Sequence, residues 1–113
     1  MPNRNYTNGM YYEHKCVVAL RDCGWYVIQS RGSKGCADIT AIRHNVVLLV
    51  QVKSGVANIS SREWNELFDL ATMIGAVPVY VKALAYKPIE WRRMTDRRVE
   101  GSRHWPAETI TIL

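Results

Sequence analysis

The stretch ADITAIRHNVVLLVQVK, residues 37–53, decides the fold. It contains two runs rich in aliphatic and β-branched residues, 37–42 and 46–53, separated by residues 43–45. So short a connection joins antiparallel strands, because a parallel crossover needs about a dozen residues or more. The second run is apolar almost throughout, which is typical of a central strand covered on both faces. The stretch therefore predicts an antiparallel hairpin whose second strand lies inside a sheet.

Predicted helices flank this hairpin in the sequence. Upstream, residues 10–23 repeat apolar side chains at helical spacing, and Gly24 is suited to end that helix. Downstream, Ser60 and Glu63 fit a capping box at the start of a second helix, which Gly75 ends. The remaining β-rich runs predict short strands at 25–29, 77–84, 89–93 and 109–113.

These elements predict the core order αβββαβ. The first three strands are antiparallel, and the second helix can cross from the third strand to the fourth, which makes that pair parallel. A length of 113 residues is typical of one domain. We therefore expect residues 1–113 to form a single α/β (α+β) domain, a central mixed β-sheet flanked by helices.

Composition excludes several classes of protein. The three cysteines include no Cys-x-x-Cys pair, which argues against a disulfide scaffold and a structural zinc site. No apolar run approaches the ~20 residues that span a bilayer, and the N-terminus lacks the apolar region of a signal peptide. We therefore expect a soluble cytoplasmic protein that is neither secreted nor membrane-bound. The net charge of +5 is compatible with a polyanionic partner.

Polar residues are predicted to meet at one edge of the hairpin. Gln51 and Lys53 are two residues apart, so they point to the same face of their strand. Asp38 is expected roughly opposite Val50 or Gln51, and the main-chain carbonyl of Val52 lies nearby. Oxygen ligands of this kind suit Mg²⁺, which activates water in phosphodiester hydrolysis, and a neighbouring lysine can orient the water or neutralise developing charge.

In order and spacing, these residues resemble the PD-(D/E)XK nuclease superfamily. Its pattern is an acidic residue on one strand followed by acid-x-Lys on the next, matched here by Ala37-Asp38 and Gln51-Val52-Lys53. The layout over about residues 4–92 is most similar to the archaeal-type Holliday-junction resolvases. The resemblance implies a restriction-endonuclease-like fold and an endonuclease that uses Mg²⁺, with Mn²⁺ as a substitute. It also implies a homodimer that cuts four-way DNA junctions.

The same resemblance implies roles for single residues. Glu13, on the first helix, matches a metal-binding glutamate, and Asp38, Gln51 and the Val52 carbonyl complete the implied metal site. Lys53 matches the lysine that assists the attacking water. A loop serine, Ser33 or Ser30, matches one that contributes to catalysis. Phosphate contacts are expected from Arg4, Lys15, Ser30, Arg31 and Lys34.

One residue departs from the family pattern, because Gln51 stands where a glutamate is usual. Glu63 and Glu66 on the second helix are possible substitutes, although the capping box is the favoured role of Glu63. Two alternatives therefore stay open within DNA-acting proteins. One is a VRR-type or restriction-like nuclease that cuts flaps or duplex, and the other is a DNA-binding module with a decayed site. An α/β domain unrelated to nucleic acid is a third.

Overall fold

The computed structural model describes residues 4–30 and 35–113, with side chains from residue 9 onward. Within these residues, two helices and six strands follow one another as αβββαβββ, and the six strands belong to one sheet in sequential order. The element bounds are α1 Arg4–Asp22, β1 Tyr26–Gln29, β2 Ile39–Arg43, β3 Val46–Ser54, α2 Ser61–Ile74, β4 Val77–Ala83, β5 Trp91–Met94 and β6 Ala107–Ile110.

The strand directions confirm the predicted mixed sheet. β1, β2 and β3 are antiparallel, β3 and β4 are parallel, and β5 and β6 continue antiparallel. The tight turn between β2 and β3 has positive φ angles at both His44 and Asn45, 48° and 64°, as a type I′ hairpin turn requires. β3 is an inner strand between β2 and β4, as its apolar run predicted.

Several element bounds differ from the predicted ones. Helix α1 begins at Arg4 rather than at residue 10, because a helix that packing has nucleated extends at little cost through polar residues. Strand β6 ends at Ile110 rather than at residue 113. Its partner β5 begins at Trp91, which pairs with Ile110, so the chain beyond has no strand to pair with.

The two helices cover opposite faces of the sheet. Cys16, Val17 and Leu20 of α1 pack in one buried cluster with the strand residues of one face, such as Val50. Trp64, Leu67 and Ala71 of α2 pack in a second cluster, which contains Leu49 from the other face. Within the described residues, neither helix is long and apolar enough to cross a membrane.

Candidate active site

A cleft of about 380 Å³ opens where α1, β3 and the start of α2 meet. Five of the predicted site residues line it, four through functional side chains and Val52 as a predicted main-chain ligand. The lining residues are Gly9, Met10, Glu13, Gly35, Cys36, Asp38, Gln51, Val52, Lys53, Glu63 and Glu66. Polar groups from separate parts of the chain therefore converge on one concave surface.

Asp38 is held in the cleft by the hairpin itself. It lies one residue before β2, and its N–H donates to the Val50 carbonyl at 2.8 Å. Its Oδ2 accepts the N–H of Val52 at 2.9 Å. These bonds fix Asp38 beside Gln51, one of the two residues opposite which the hairpin predicted it. Burial raises the pKa of the Asp38 carboxyl, although the Val52 N–H and the charge of Lys53 act in the opposite direction.

Glu13 reaches the cleft from α1. Its Oε1 accepts the side-chain N–H of Gln29, the last residue of β1, at 2.9 Å. Burial raises the pKa of the Glu13 carboxyl; the Gln29 bond lowers it, and the nearby charge of Asp38 raises it further. Gln29 was not predicted to belong to the site. The only signal in the sequence is its position at the end of the strand that adjoins the hairpin.

Gln51 and Lys53 enter the cleft from the face of β3 that α2 covers. Leu49 belongs to the cluster under α2, and the alternation of side chains along β3 places Gln51 and Lys53 on that same face. Gln51 is buried, with 9% of its surface exposed. The Lys53 side chain is 23% exposed, and its Nζ lies 2.9 Å from Oε2 of Glu63.

The residues of the cleft fit a magnesium ion by the chemistry of their donors. Among residues 9–30 and 35–113, no three His, Cys, Asp or Glu side chains form a metal-binding group. The cleft does contain the carboxylates of Glu13 and Asp38, the Gln51 amide and the main chain of Val52. Mg²⁺ commonly binds through one or two carboxylates, keeping waters and substrate phosphates as its other ligands. Two carboxylates with neutral oxygens are therefore sufficient.

The remaining predicted residues lie away from the cleft or outside the described part. Lys15 is exposed on α1, with its ammonium over the Tyr11 ring, and does not line the cleft. Ser30 does not line the cleft, and its N–H donates to the Asp38 carbonyl at 2.9 Å. Outside the described residues lie the predicted positions Arg31, Ser33 and Lys34 and the side chain of Arg4.

Comparison with known proteins identifies the family. The model of the archaeal Holliday junction resolvase (Hjc) family matches residues 4–103 of the chain. The chain belongs to this family. Holliday junction resolvases are DNA endonucleases, and this function applies to the present chain.

Among solved structures, Hjc from Archaeoglobus fulgidus, a Holliday junction resolvase of an archaeal hyperthermophile, has the same fold. The TM-score is 0.63, the sequence identity is 24%, and the match covers 72% of each chain. No curated protein sequence matches the chain. The membership confirms the family that the order and spacing of Asp38, Gln51 and Lys53 indicated.

Proposed function

We propose that this resolvase hydrolyses phosphodiesters of four-way DNA junctions in the cleft around Asp38 and Lys53. The observation that carries the proposal is the convergence of Glu13, Asp38, Gln51 and Lys53 on one cleft, from α1 and from the β2–β3 hairpin. Within the family, this is the arrangement that a metal-assisted nuclease needs: carboxylates to bind a cation and a lysine beside them.

Each residue has a distinct role in the proposed mechanism. Glu13 and Asp38 hold Mg²⁺, for which Mn²⁺ substitutes, and Gln51 and the Val52 carbonyl add neutral oxygens. The chemistry that the ion supplies when bound is the acidification of water and the stabilisation of charge on phosphate. Lys53 orients the attacking water and neutralises charge that develops on the phosphate.

DNA binding in this proposal is mainly electrostatic. Cationic side chains and one hydroxyl are proposed to contact phosphates, which positions the junction without reading its sequence. The proposed contacts are Arg4, Lys15, Ser30, Arg31 and Lys34. Ser33, which neighbours Arg31 and Lys34 in the sequence, is proposed to assist catalysis.

The direct test is cleavage of an end-labelled four-way junction against a linear duplex of the same arm sequence, in Mg²⁺ and in Mn²⁺. Paired symmetric cuts in the junction are the expected result. Cutting of flaps or duplex in preference to the junction would show that the proposed substrate is wrong.

The Gln51→Glu variant tests how far the neutral amide limits the site. A glutamate would add a third carboxylate, so we expect half-maximal cleavage at an Mg²⁺ concentration lower by about tenfold, since such changes at metal sites alter affinity by about 10–100-fold. The measurement is a Mg²⁺ titration of junction cleavage. Asn58→Asp is a matched control, because it adds the same charge at an exposed residue whose side chain accepts from Lys82 and does not line the cleft.

Gln51 also favours a second candidate function, a DNA-binding module with a decayed site. If wild type and Gln51→Glu both bind the junction tightly and neither cuts it in Mg²⁺ or Mn²⁺, this second candidate replaces the first. Activity in wild type that rises at low Mg²⁺ in the variant would support the nuclease.

We further propose that the resolvase acts as a homodimer, because paired cuts in a two-fold junction need two active sites. An apolar patch on the β1–β2 part of the sheet supports this. Tyr26, which is 67% exposed, pairs with Ile42, which is 37% exposed. Ile28, two residues after Tyr26 on β1, is 49% exposed. They lie on the face of the sheet that α2 covers. Because α2 packs over β3 and β4, it leaves these side chains on β1 and β2 uncovered. Contiguous exposed apolar surface of this kind marks interaction sites.

The homodimer is tested by the Ile28→Lys variant. We expect wild type to have the mass of two chains in light scattering, and Ile28→Lys to have the mass of one, because a lysine cannot be buried unpaired in an apolar interface. Val46→Lys is the matched control, because Val46 is 42% exposed at the start of β3 but lies on the opposite face of the sheet. A monomeric wild type, or equal effects of both variants, would contradict the proposal.

A further inference from the structure

Among the described residues, Lys53 forms one ion pair, and its partner is on another element. Its ammonium lies 2.9 Å from Oε2 of Glu63, in the first turn of α2. The Lys53 side chain is about three-quarters buried, where an ammonium without a partner is costly. Gln51, two residues away on the same face of β3, is neutral and cannot balance this charge.

Glu63 is itself held rigidly. Its Oε1 accepts the Ser60 N–H at 3.1 Å, while its own N–H donates to the Ser60 hydroxyl at 3.0 Å. The two carboxylate oxygens of Glu63 thus have separate partners: Oε1 belongs to the capping box of α2, and Oε2 pairs with Lys53. The amino end of a helix also favours negative charge. Burial disfavours ionisation of Glu63, but the bonds from Lys53 and Ser60 outweigh it and lower its pKa.

We infer that Glu63 is the positioning residue of Lys53, and that it supplies from α2 the negative charge that Gln51 does not supply from β3. The inference deepens the proposed function, since it rests on the proposed role of Lys53. Helix capping and the placement of the lysine are then two tasks of one carboxylate. Glu66, the other acid of α2 that lines the cleft, is paired with Arg62 at 3.0 Å instead.

Three single variants separate the charge of Glu63 from its capping role. Glu63→Gln keeps the capping box, because glutamine also serves at that position, but it removes the negative charge that faces Lys53. Ser60→Ala breaks the cap and keeps the charge. Glu66→Gln removes the neighbouring acid. We expect Glu63→Gln to slow junction cleavage by about 10–100-fold, as loss of supporting residues at metal sites does. Ser60→Ala lowers the melting temperature and leaves cleavage nearly unchanged.

A double variant tests whether Glu63 on α2 takes the place of an acid at position 51 on β3. Gln51→Glu combined with Glu63→Gln returns an acid to β3, on the same face as Lys53. We expect the double variant to cut faster than Glu63→Gln alone and to approach the wild-type rate. Equal rates for the double variant and Glu63→Gln would overturn the inference.

A second readout needs neither metal nor DNA. The measurement is the ammonium signal of Lys53 in ¹⁵N NMR, recorded in EDTA and identified by its absence in Lys53→Ala. We expect the signal in wild type and in Ser60→Ala. It is expected to be lost in Glu63→Gln and regained in the double variant. An NMR signal that is unchanged in Glu63→Gln would overturn the inference. So would a loss of cleavage in Glu66→Gln together with normal cleavage in Glu63→Gln. A wild type that cuts no junction, with a signal that depends on Glu63, overturns the proposed function while supporting the positioning of Lys53.

Discussion

We expect Lys53→Ala to lower the rate of junction cleavage by about 10²–10³-fold, the usual cost of losing one group that stabilises transition-state charge. The ammonium of Lys53 lines the cleft beside Asp38 and is held at 2.9 Å from Glu63. Alanine removes the cation and leaves the β3 main chain intact. The measurement is single-turnover cleavage of a labelled four-way junction in Mg²⁺, with junction binding measured separately.

Lys82→Ala is the matched control for this prediction. Lys82 is the register partner of Lys53 on β4, but it does not line the cleft. Its ammonium instead donates to the Ala57 carbonyl and, at 3.0 Å, to the side chain of Asn58. We expect this variant to cut within about threefold of wild type, as substitutions away from a site usually do. Equal losses in the two variants, or a loss in Lys53→Ala that binding alone explains, would contradict the catalytic role of Lys53.

The Asp38→Asn variant is expected to have opposite effects on activity and on stability. For activity, asparagine removes one of two carboxylates proposed to hold Mg²⁺, so we expect cleavage to fall by at least about 100-fold. The amide oxygen can still accept the Val52 N–H, which preserves the local fold. Asp69→Asn is the control, because Asp69 is an exposed acid of α2 outside the cleft.

Stability is expected to rise in the same variant. Burial raises the pKa of Asp38 above its ordinary value of 3.8, which means that folding favours the protonated carboxyl. The stability that protonation contributes is present below pH 3.8 and is lost as the pH rises through the raised pKa. At pH 7 the ionised Asp38 therefore destabilises the fold, and a neutral asparagine relieves this cost.

Urea unfolding in EDTA at pH 7 and at successively lower pH measures the effect. We expect a higher midpoint for Asp38→Asn at pH 7 and a difference that shrinks as the pH falls towards 3.8. A variant less stable than wild type at pH 7 would show that the bond to Val52, and not the cost of the buried charge, dominates at this position.

The hairpin shows why part of the site was predictable. Residues 37–53 are contiguous, so the turn at His44 and Asn45 and the alternation along β3 determine which side chains share a face. This limits Asp38 to a place opposite Val50 or Gln51, and the pairing of Ile39 with Val50 in the structure selects Gln51. The capping box of Ser60 and Glu63 is local in the same way, and it forms as predicted. Short-range geometry limits such features to few arrangements.

Contacts between distant elements were not predictable by the same means. Gln29 binds Glu13 only because α1 packs across the sheet beside β1. The second oxygen of Glu63 reaches Lys53 only because α2 packs over β3. The capping pattern predicted the role of Glu63 in the capping box but not its ion pair with Lys53. No periodicity relates residues on separate elements.

By itself, the sequence determined the order of the elements, the antiparallel pairing of the hairpin strands, the nuclease family and the shared face of Gln51 and Lys53. These depend on turn chemistry and on side-chain periods of local backbone geometry. The tertiary structure alone decided which acid stands beside Lys53 and what holds Glu13 in the cleft. Those contacts arise from the packing of helices against opposite faces of the sheet, where the burial of apolar surface brings together residues far apart in the chain.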